Sequence, residues 1–216
     1  GNIVVNGSGS AFGSVIINGE TGGSVSLSDA TLRNSASVFG DFGITVANVN
    51  AVLSGLNISG LSNRGGVSVS GTNVSIENSY IGGNHNIAVQ SADGATVTIL
   101  NTTITRNSGS TKAAVYAAEN SSVNLINSTV AGNFITGVRT STGSSFNALN
   151  SIIAYNYSGA ESSDFYFASS RNVSLVRSVL GDYAVGSRKV TISADNAMVK
   201  SLYTGEGSGH TALFAG

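Results

Sequence analysis

The chain has 216 residues, and its 10 Lys and Arg nearly balance its 11 Asp and Glu, which gives a formal net charge of −1. This balance removes the electrostatic case for a nucleic-acid partner or an anionic membrane surface. The chain contains no cysteine, which excludes thiolate metal sites, and its two histidines lie far apart, so we expect no metal and no cofactor. No apolar run reaches the length of a membrane-spanning helix, and we expect no membrane span in this fragment.

An eleven-residue unit recurs along the chain, and its clearest copy is residues 123–133, VNLINSTVAGN. Copies, some of them degenerate, begin at residues 25, 51, 74, 97, 123, 146 and 173, so successive starts are 23 to 27 residues apart. A period of this length that tolerates small insertions is typical of a solenoid, in which each repeat forms one coil.

Apolar residues alternate within this unit, as Val123, Leu125 and Val130 do in the clearest copy. The alternation predicts two short strands separated by a corner, with the apolar side chains facing inward. A further short apolar run precedes most copies, at residues 44–46, 67–69, 87–89, 115–117, 138–140 and 165–167. The pattern predicts an all-β fold, a single parallel β-helix of about eight coils with three short strands per coil and a length of ~40 Å.

Taken in chain order, residues 1–61 fit one incomplete coil followed by two loose copies of the repeat. Residues 62–160 are the most regular part, and residues 161–183 hold one further copy. We therefore assign residues 1–183 to the coils of the solenoid. The repeat is lost in residues 184–216, which we expect to form a degenerate last coil or a C-terminal cap.

Asparagine occupies two positions of the regular copies. The fifth position holds Asn78, Asn101, Asn127 and Asn150, and the eleventh holds Asn84, Asn107, Asn133 and Asn156. Asparagine tolerates the left-handed backbone that a corner needs, and stacked side-chain amides can hydrogen-bond from coil to coil. We interpret both sets as structural ladders, and the alternative is a ligand groove lined by asparagine.

The fourth position should point outward, and in four successive copies it is apolar. We call these four residues the apolar column: Leu100, Ile126, Leu149 and Val176. A contiguous exposed apolar patch is usually covered or used. Residues 184–216 or a loop could pack over it, or it could contact another chain, including a second copy in self-association along the solenoid. A one-residue shift in register would instead bury all four.

Aromatic residues gather near the end of the regular part. We expect Phe165 and Phe167 to fill the interior, which leaves Tyr166 pointing outward. Tyr155 and Tyr157 lie at the end of the last regular copy, where they could stand on the rim of the solenoid. These three tyrosines are the candidate ligand-binding residues, because exposed aromatic rings stack on sugars or anchor protein partners.

Carboxylate pairs for glycoside chemistry are scarce. Asp93 and Glu119 each lie four residues before a repeat start, so they could stack on neighbouring coils and act as a catalytic pair. The alternative is a solvated pair in two turns. Lyase chemistry would require a base above an acidic calcium site, but Arg106, Lys112 and Arg139, in predicted loops, have no acidic cluster beside them.

The recurring pattern of alternating apolar residues, an Asn-Ser or Asn-Thr pair and a Gly-Asn end resembles the right-handed parallel β-helix repeats of bacterial autotransporter passenger domains and polymorphic outer-membrane adhesins. The segment from Gly65-Gly66-Val67 to Asn84 matches best. The resemblance covers roughly residues 20–183, and it implies a right-handed solenoid displayed at the cell surface or secreted. It transfers no binding residue, because that family shares no common site motif.

We therefore hypothesise a non-enzymatic, extracellular passenger segment of a larger bacterial protein, acting as an adhesin or adhesive stalk. Its expected partner is a glycan or protein of a host or neighbouring cell. The alternative is a carbohydrate-active β-helix enzyme of the polysaccharide lyase or glycoside hydrolase type.

Overall fold

The structure is a computed structural model that describes residues 2–6, 11–12, 14–19, 23–32, 41–109, 113–158, 161–167, 173–181, 183–185, 198–199 and 213–214. Within these ranges the chain forms strands and turns, and no helix occurs in them.

The strands form three sheets, which the chain visits in the same order in successive coils. Sheet A contains Asn2–Asn6, Ser24–Ser28, Asn50–Ser54, Asn73–Glu77, Thr96–Leu100, Ser122–Ile126, Ser145–Leu149 and Val173–Val176. Sheet B contains Ala11–Phe12, Thr31–Leu32, Asn57–Ser59, Tyr80–Gly82, Thr103–Thr105, Thr129–Ala131, Ile152–Ala154, Val179–Leu180, Met198–Val199 and Leu213–Phe214. Sheet C contains Val15–Asn18, Phe42–Ala47, Gly65–Ser70, Val89–Ala92, Val115–Ala117, Val138–Thr140, Phe165–Phe167 and Tyr183–Val185.

Equivalent residues of successive repeats pair directly with each other. In sheet A, Val74 pairs with Val97, Val97 with Val123, and Val123 with Phe146, all in parallel strands. A chain that returns to the same sheet once per repeat, always in the same direction, forms a solenoid. The predicted all-β parallel β-helix with three strands per coil is therefore confirmed.

One predicted strand is displaced by two residues. The strand is Val89–Ala92, and Val89 rather than Ile87 pairs with Val67 of the preceding coil. Ile87 and Val89 are both apolar and two residues apart, so alternation alone fits either register. The turn at Asp93, where φ is 52°, fixes the end of the strand.

The inward-facing side chains of the three sheets form one continuous apolar core. Val123, Leu125 and Val130 of the clearest repeat are completely buried. In the next coil the rings of Phe146 and Phe165 fill the interior, with their centroids 5.2 Å apart. Each such side chain contributes about 1.5–3 kcal/mol relative to an exposed one. The alternate side chains of the same strands face solvent and are available for binding.

The corner after each regular sheet A strand has a left-handed backbone. Asn78, Asn101, Asn127 and Asn150 have φ angles of 49° to 50°, and Arg177 takes the same conformation in the last copy. Asparagine adopts this conformation more readily than other residues with a side chain. Backbone geometry therefore accounts for asparagine at the fifth position without any ligand.

The C-terminal segment contains two short strands that extend sheet B. Met198–Val199 pairs in parallel with Val179–Leu180, and Leu213–Phe214 pairs antiparallel with Met198–Val199. Most of the predicted cap at 184–216 lies outside the described residues.

Candidate functional site

The eleventh-position asparagines form a buried line of hydrogen bonds, which we call the inner ladder. Asn84, Asn107, Asn133 and Asn156 are all completely buried. The Nδ2 groups of the first three donate to the Oδ1 of the next coil at 3.1, 2.9 and 2.7 Å. The same Oδ1 atoms accept from the backbone N–H groups of the preceding coil. Buried amides require such partners, and a ligand has no access to them.

The inner ladder ends on a carboxylate that the repeat pattern does not reveal. Asp164 is 1% exposed, and its Oδ1 accepts from the backbone N–H and the Nδ2 of Asn156 at 2.7 and 2.8 Å. The aspartate follows Asn156 by only eight residues rather than by a full coil. Asp164 therefore satisfies both N–H donors of Asn156 at the end of the ladder.

The fifth-position asparagines form a separate, exposed column. The Nδ2 of Asn101 donates to Oδ1 of Asn78 at 2.7 Å, and Asn150 donates to Asn127 at 2.8 Å. These bonds point towards the preceding coil, opposite to those of the inner ladder. Exposed bonds of this kind contribute little to stability, so the left-handed corner is the main constraint on these positions.

A third set of stacked polar groups was not predicted as a ladder. It consists of the hydroxyl groups that follow each corner: Ser79, Thr102, Ser128, Ser151 and Ser178. Each hydroxyl accepts from a backbone N–H of the preceding coil and donates to the carbonyl two residues before it. The recurring Ser or Thr after the corner residue was the available signal.

The apolar column lies on the outer face of sheet A. Leu100 pairs with Ile126, Ile126 with Leu149, and Leu149 with Val176, so the four residues occupy one register position. Leu149 is 42% exposed and the others are half-buried. The residues predicted to cover the column lie largely outside the described part of the chain, so both its intramolecular cover and its contact with a partner stay predictions.

Tyr166 lies on the outer face of sheet C, where Arg139 is its neighbour in the preceding coil. The guanidinium carbon of Arg139 is 4.7 Å from the centre of the Tyr166 ring. Arg139 lies in strand Val138–Thr140, as the apolar run at residues 138–140 predicted, so its assignment to a loop was wrong. The cation covers one face of this half-buried ring, so Tyr166 offers less free aromatic surface than the sequence suggested.

Tyr155 and Tyr157 lie together on the turn after sheet B, on either side of the buried Asn156. They are 51% and 41% exposed. In the preceding coil Phe134, 65% exposed, occupies the position of Tyr157, because both follow a residue of the inner ladder. The turn therefore carries three exposed aromatic side chains, and Tyr166 is not among them. Sequence reasoning overlooked Phe134, although its place directly after Asn133 was a readable signal.

Asp93 and Glu119 occupy equivalent positions in neighbouring coils. The strands before them pair through Ser91 and Ala117, and the strands after them pair through Thr96 and Ser122, with equal spacing. Neighbouring strands are ~4.8 Å apart, so the two carboxylates can approach the separation used in retaining glycosidases. Both are exposed, however, and the Oδ2 of Asp93 accepts a hydrogen bond from Ser70 at 2.5 Å.

In the described part of the chain, no three His, Cys, Asp or Glu side chains are grouped as a metal site would need. The same residues include no helix that is long and apolar enough to cross a membrane.

Comparison with known proteins gives one family and one solved structure. A family model described as "Right handed beta helix region" matches residues 2–159 and 42–197. No curated protein matches the chain. The chain is similar to the crystal structure of pectate lyase Pel9A, with a TM-score of 0.57 and 15% sequence identity over 96% of this chain and 71% of that chain. At this identity the likeness concerns the fold alone.

Proposed function

The chain belongs to the family of right-handed β-helix regions, and we propose that it is a non-enzymatic passenger segment of a larger bacterial surface or secreted protein. In this proposal the segment works outside the cell as an adhesin or adhesive stalk, like the autotransporter and polymorphic outer-membrane adhesins that its repeats resemble. The partner is a glycan or a protein of a host or neighbouring cell.

The observation that carries this proposal is the pair of exposed tyrosines on one turn. Tyr155 and Tyr157 present large aromatic surface to solvent, which is unusual unless the surface is used. A tyrosine combines a flat apolar face with a hydroxyl group, and this combination suits the apolar faces and hydroxyls of a sugar. Of the two partner classes, the tyrosines therefore favour a glycan.

The scaffold supports the same proposal, since a binding turn needs a rigid base. Asn133 and Asn156, directly beneath the aromatic side chains, are hydrogen-bonded to each other at 2.7 Å within the wall of the solenoid. Side chains held on rigid elements lose little freedom on binding. An adhesin gains affinity from such preorganisation.

The second candidate function is a carbohydrate-active enzyme, and the equivalent positions of Asp93 and Glu119 favour it. The similarity to a pectate lyase is compatible with it, although that likeness concerns the fold. The general acid of a glycosidase is tuned by an apolar pocket, whereas both of these side chains are exposed. We therefore rank it second.

The test is a glycan array followed by product analysis of every glycan that binds. We expect binding without cleavage, weakened about tenfold in Tyr155→Asn and Tyr157→Ser. Asparagine is chosen at position 155 because the backbone there is left-handed, with φ at 58°. Ile16→Ser, at a remote side chain that is 74% exposed, is the matched control.

Two results would contradict the proposal. Cleavage that is lost in Asp93→Asn or Glu119→Gln would establish the enzyme instead. Glycan binding that survives both tyrosine substitutions would place the adhesive surface elsewhere. Binding to protein receptors but to no glycan would keep the adhesin and select the protein partner.

A further inference from the structure

A column of left-handed residues runs along the turn after sheet B, next to the exposed tyrosines. It contains Gly60, Gly83, Arg106, Gly132 and Tyr155, with φ angles between 57° and 67°. Their register is fixed, since Ala131 pairs with Ala154 on one side and Asn133 bonds to Asn156 on the other.

Three of these five positions hold glycine, as the backbone favours, and two hold large side chains. A bulky residue in this conformation is an outlier, and such residues gather at ligand-binding positions. Arg106 and Tyr155 are both exposed, so neither side chain is retained for the core. Arg177 has a left-handed backbone too, at a corner after sheet A, but the turn after sheet B places two such large side chains in one column.

Gly132 lies between Arg106 and Tyr155 and leaves a notch between them. A Cβ atom built on Gly132 would meet Thr105 Oγ1 at 3.4 Å and otherwise enter open space. The two flanking side chains are two coils apart, which is ~9.6 Å at the usual strand spacing. Phe134 and Tyr157 line the neighbouring column, where they occupy successive coils.

Arg106 is the one charged residue of the left-handed column, and the neighbouring column of His85, Ser108, Phe134 and Tyr157 contains no Asp, Glu, Lys or Arg. Two acidic residues follow Tyr157 in the chain: Glu161 pairs with Ser158 in the hairpin, and Asp164 is buried against Asn156. The guanidinium of Arg106 is therefore the group on this face that attracts an anion.

We propose that this notch binds an acidic saccharide, an inference that rests on the proposed glycan-binding function and names its ligand class. One sugar ring lies against the aromatic surface of Tyr155 and Tyr157. The carboxylate or sulfate of the adjoining sugar unit pairs with the guanidinium of Arg106 across Gly132. Arginine suits this role because its planar fork donates two parallel hydrogen bonds to such groups.

The test compares acidic oligosaccharides with neutral counterparts of the same backbone. The probes are oligogalacturonate, hyaluronan oligosaccharide and sialyllactose, each paired with its carboxyl-reduced form, and the readout is the Kd measured on the whole chain. We expect at least one acidic probe to bind about tenfold more tightly than its reduced form. Raising the salt concentration should reduce this preference.

Two substitutions test the geometry. Arg106→Asn, which suits the left-handed backbone, should abolish the preference for the acidic form, whereas Arg139→Gln removes an equal charge on sheet C and should retain it. Gly132→Asn fills the notch and should weaken all binding about tenfold, whereas Gly60→Asn makes the same change where nothing lies within 4 Å. Circular dichroism establishes that all four variants are folded.

The outcomes separate this inference from the function on which it rests. If the acidic and reduced forms bind equally, or if Arg106→Asn keeps the preference for the acidic form, the proposed acidic ligand is wrong. The proposed glycan-binding function is not contradicted by either result. If none of the six probes binds, the inference is wrong, and the wider glycan array decides the function.

Discussion

Replacing Asn133 by leucine tests how much of the solenoid's stability depends on the inner ladder. Leucine has a similar volume, so the change removes hydrogen bonds with little change in packing. The Oδ1 of Asn133 accepts from the backbone N–H and the Nδ2 of Asn107, at 3.0 and 2.9 Å. Its own Nδ2 donates to Asn156 and to the carbonyl of Ile104. All of these groups are buried.

The cost follows from which groups lose their partners. The Asn107 N–H loses its acceptor, and a buried unsatisfied donor costs about 1–3 kcal/mol. The two donor bonds of Asn133 add about 1 kcal/mol each, and the apolar side chain of leucine offsets part of this. We expect a net loss of about 3 kcal/mol, which for a chain of this size lowers Tm by about 6–12 °C.

Thermal unfolding followed by circular dichroism measures this change against two controls. Asn147 is exposed and donates to Asn124 at 2.9 Å, so Asn147→Leu should change stability by about 0.5 kcal/mol or less. Asn127→Leu places a branched side chain on a left-handed corner and should cost about 1–2 kcal/mol. If Asn133→Leu melts at the same temperature as Asn147→Leu, the assignment of stability to the inner ladder is wrong.

Three further predictions concern other parts of the structure. Asp164→Ala should destabilise the chain by about 1–3 kcal/mol in urea unfolding, because the buried backbone N–H of Asn156 loses its acceptor. Wild-type stability would contradict that role. Gly66→Ala should lower the free energy of unfolding by about 1–3 kcal/mol in the same assay, since its Cβ would lie 2.4 Å from the carbonyl oxygen of Ala88. Unchanged stability would show that these two strands can separate without cost. If the apolar column mediates self-association, Leu149→Glu should abolish any concentration-dependent increase in sedimentation coefficient, whereas unchanged association would place the contact elsewhere.

The fold could be predicted from the sequence because the same pattern of apolar and corner residues recurs in each coil. Val123, Leu125 and Val130 recur at fixed spacing, and the corner residue recurs between them, so strand order and direction follow. The exact register was less accessible where apolar residues occupy successive alternate positions, as at Ile87 and Val89. At these residues the position of the following turn determines the register of the strand. The alternation of apolar residues does not reveal where that turn lies.

Only part of the candidate binding site could be predicted from the sequence. Tyr155 and Tyr157 were identified as exposed candidates at the end of the last regular copy, where they flank a position that the repeat fixes. Phe134 occupies the equivalent position of another coil. The copies before it hold His85 and Ser108, so its place directly after Asn133 was the signal, and no recurring aromatic residue reinforced it. Asp164 was inaccessible for a different reason, since the hairpin of Tyr157–Ser158 and Glu161–Ser162 separates it from the repeat.

The direction of the inner ladder determines where the solenoid can change in length. Every amide donates towards the next coil, so a coil duplicated between Asn84 and Asn156 would find a donor before it and an acceptor after it. Asp164 accepts from Asn156 and follows it by only eight residues, so the line of asparagines, one per coil, ends at this aspartate. A longer or shorter rod can therefore arise by gain or loss of whole coils before Asn156, with the aspartate kept as its fixed end.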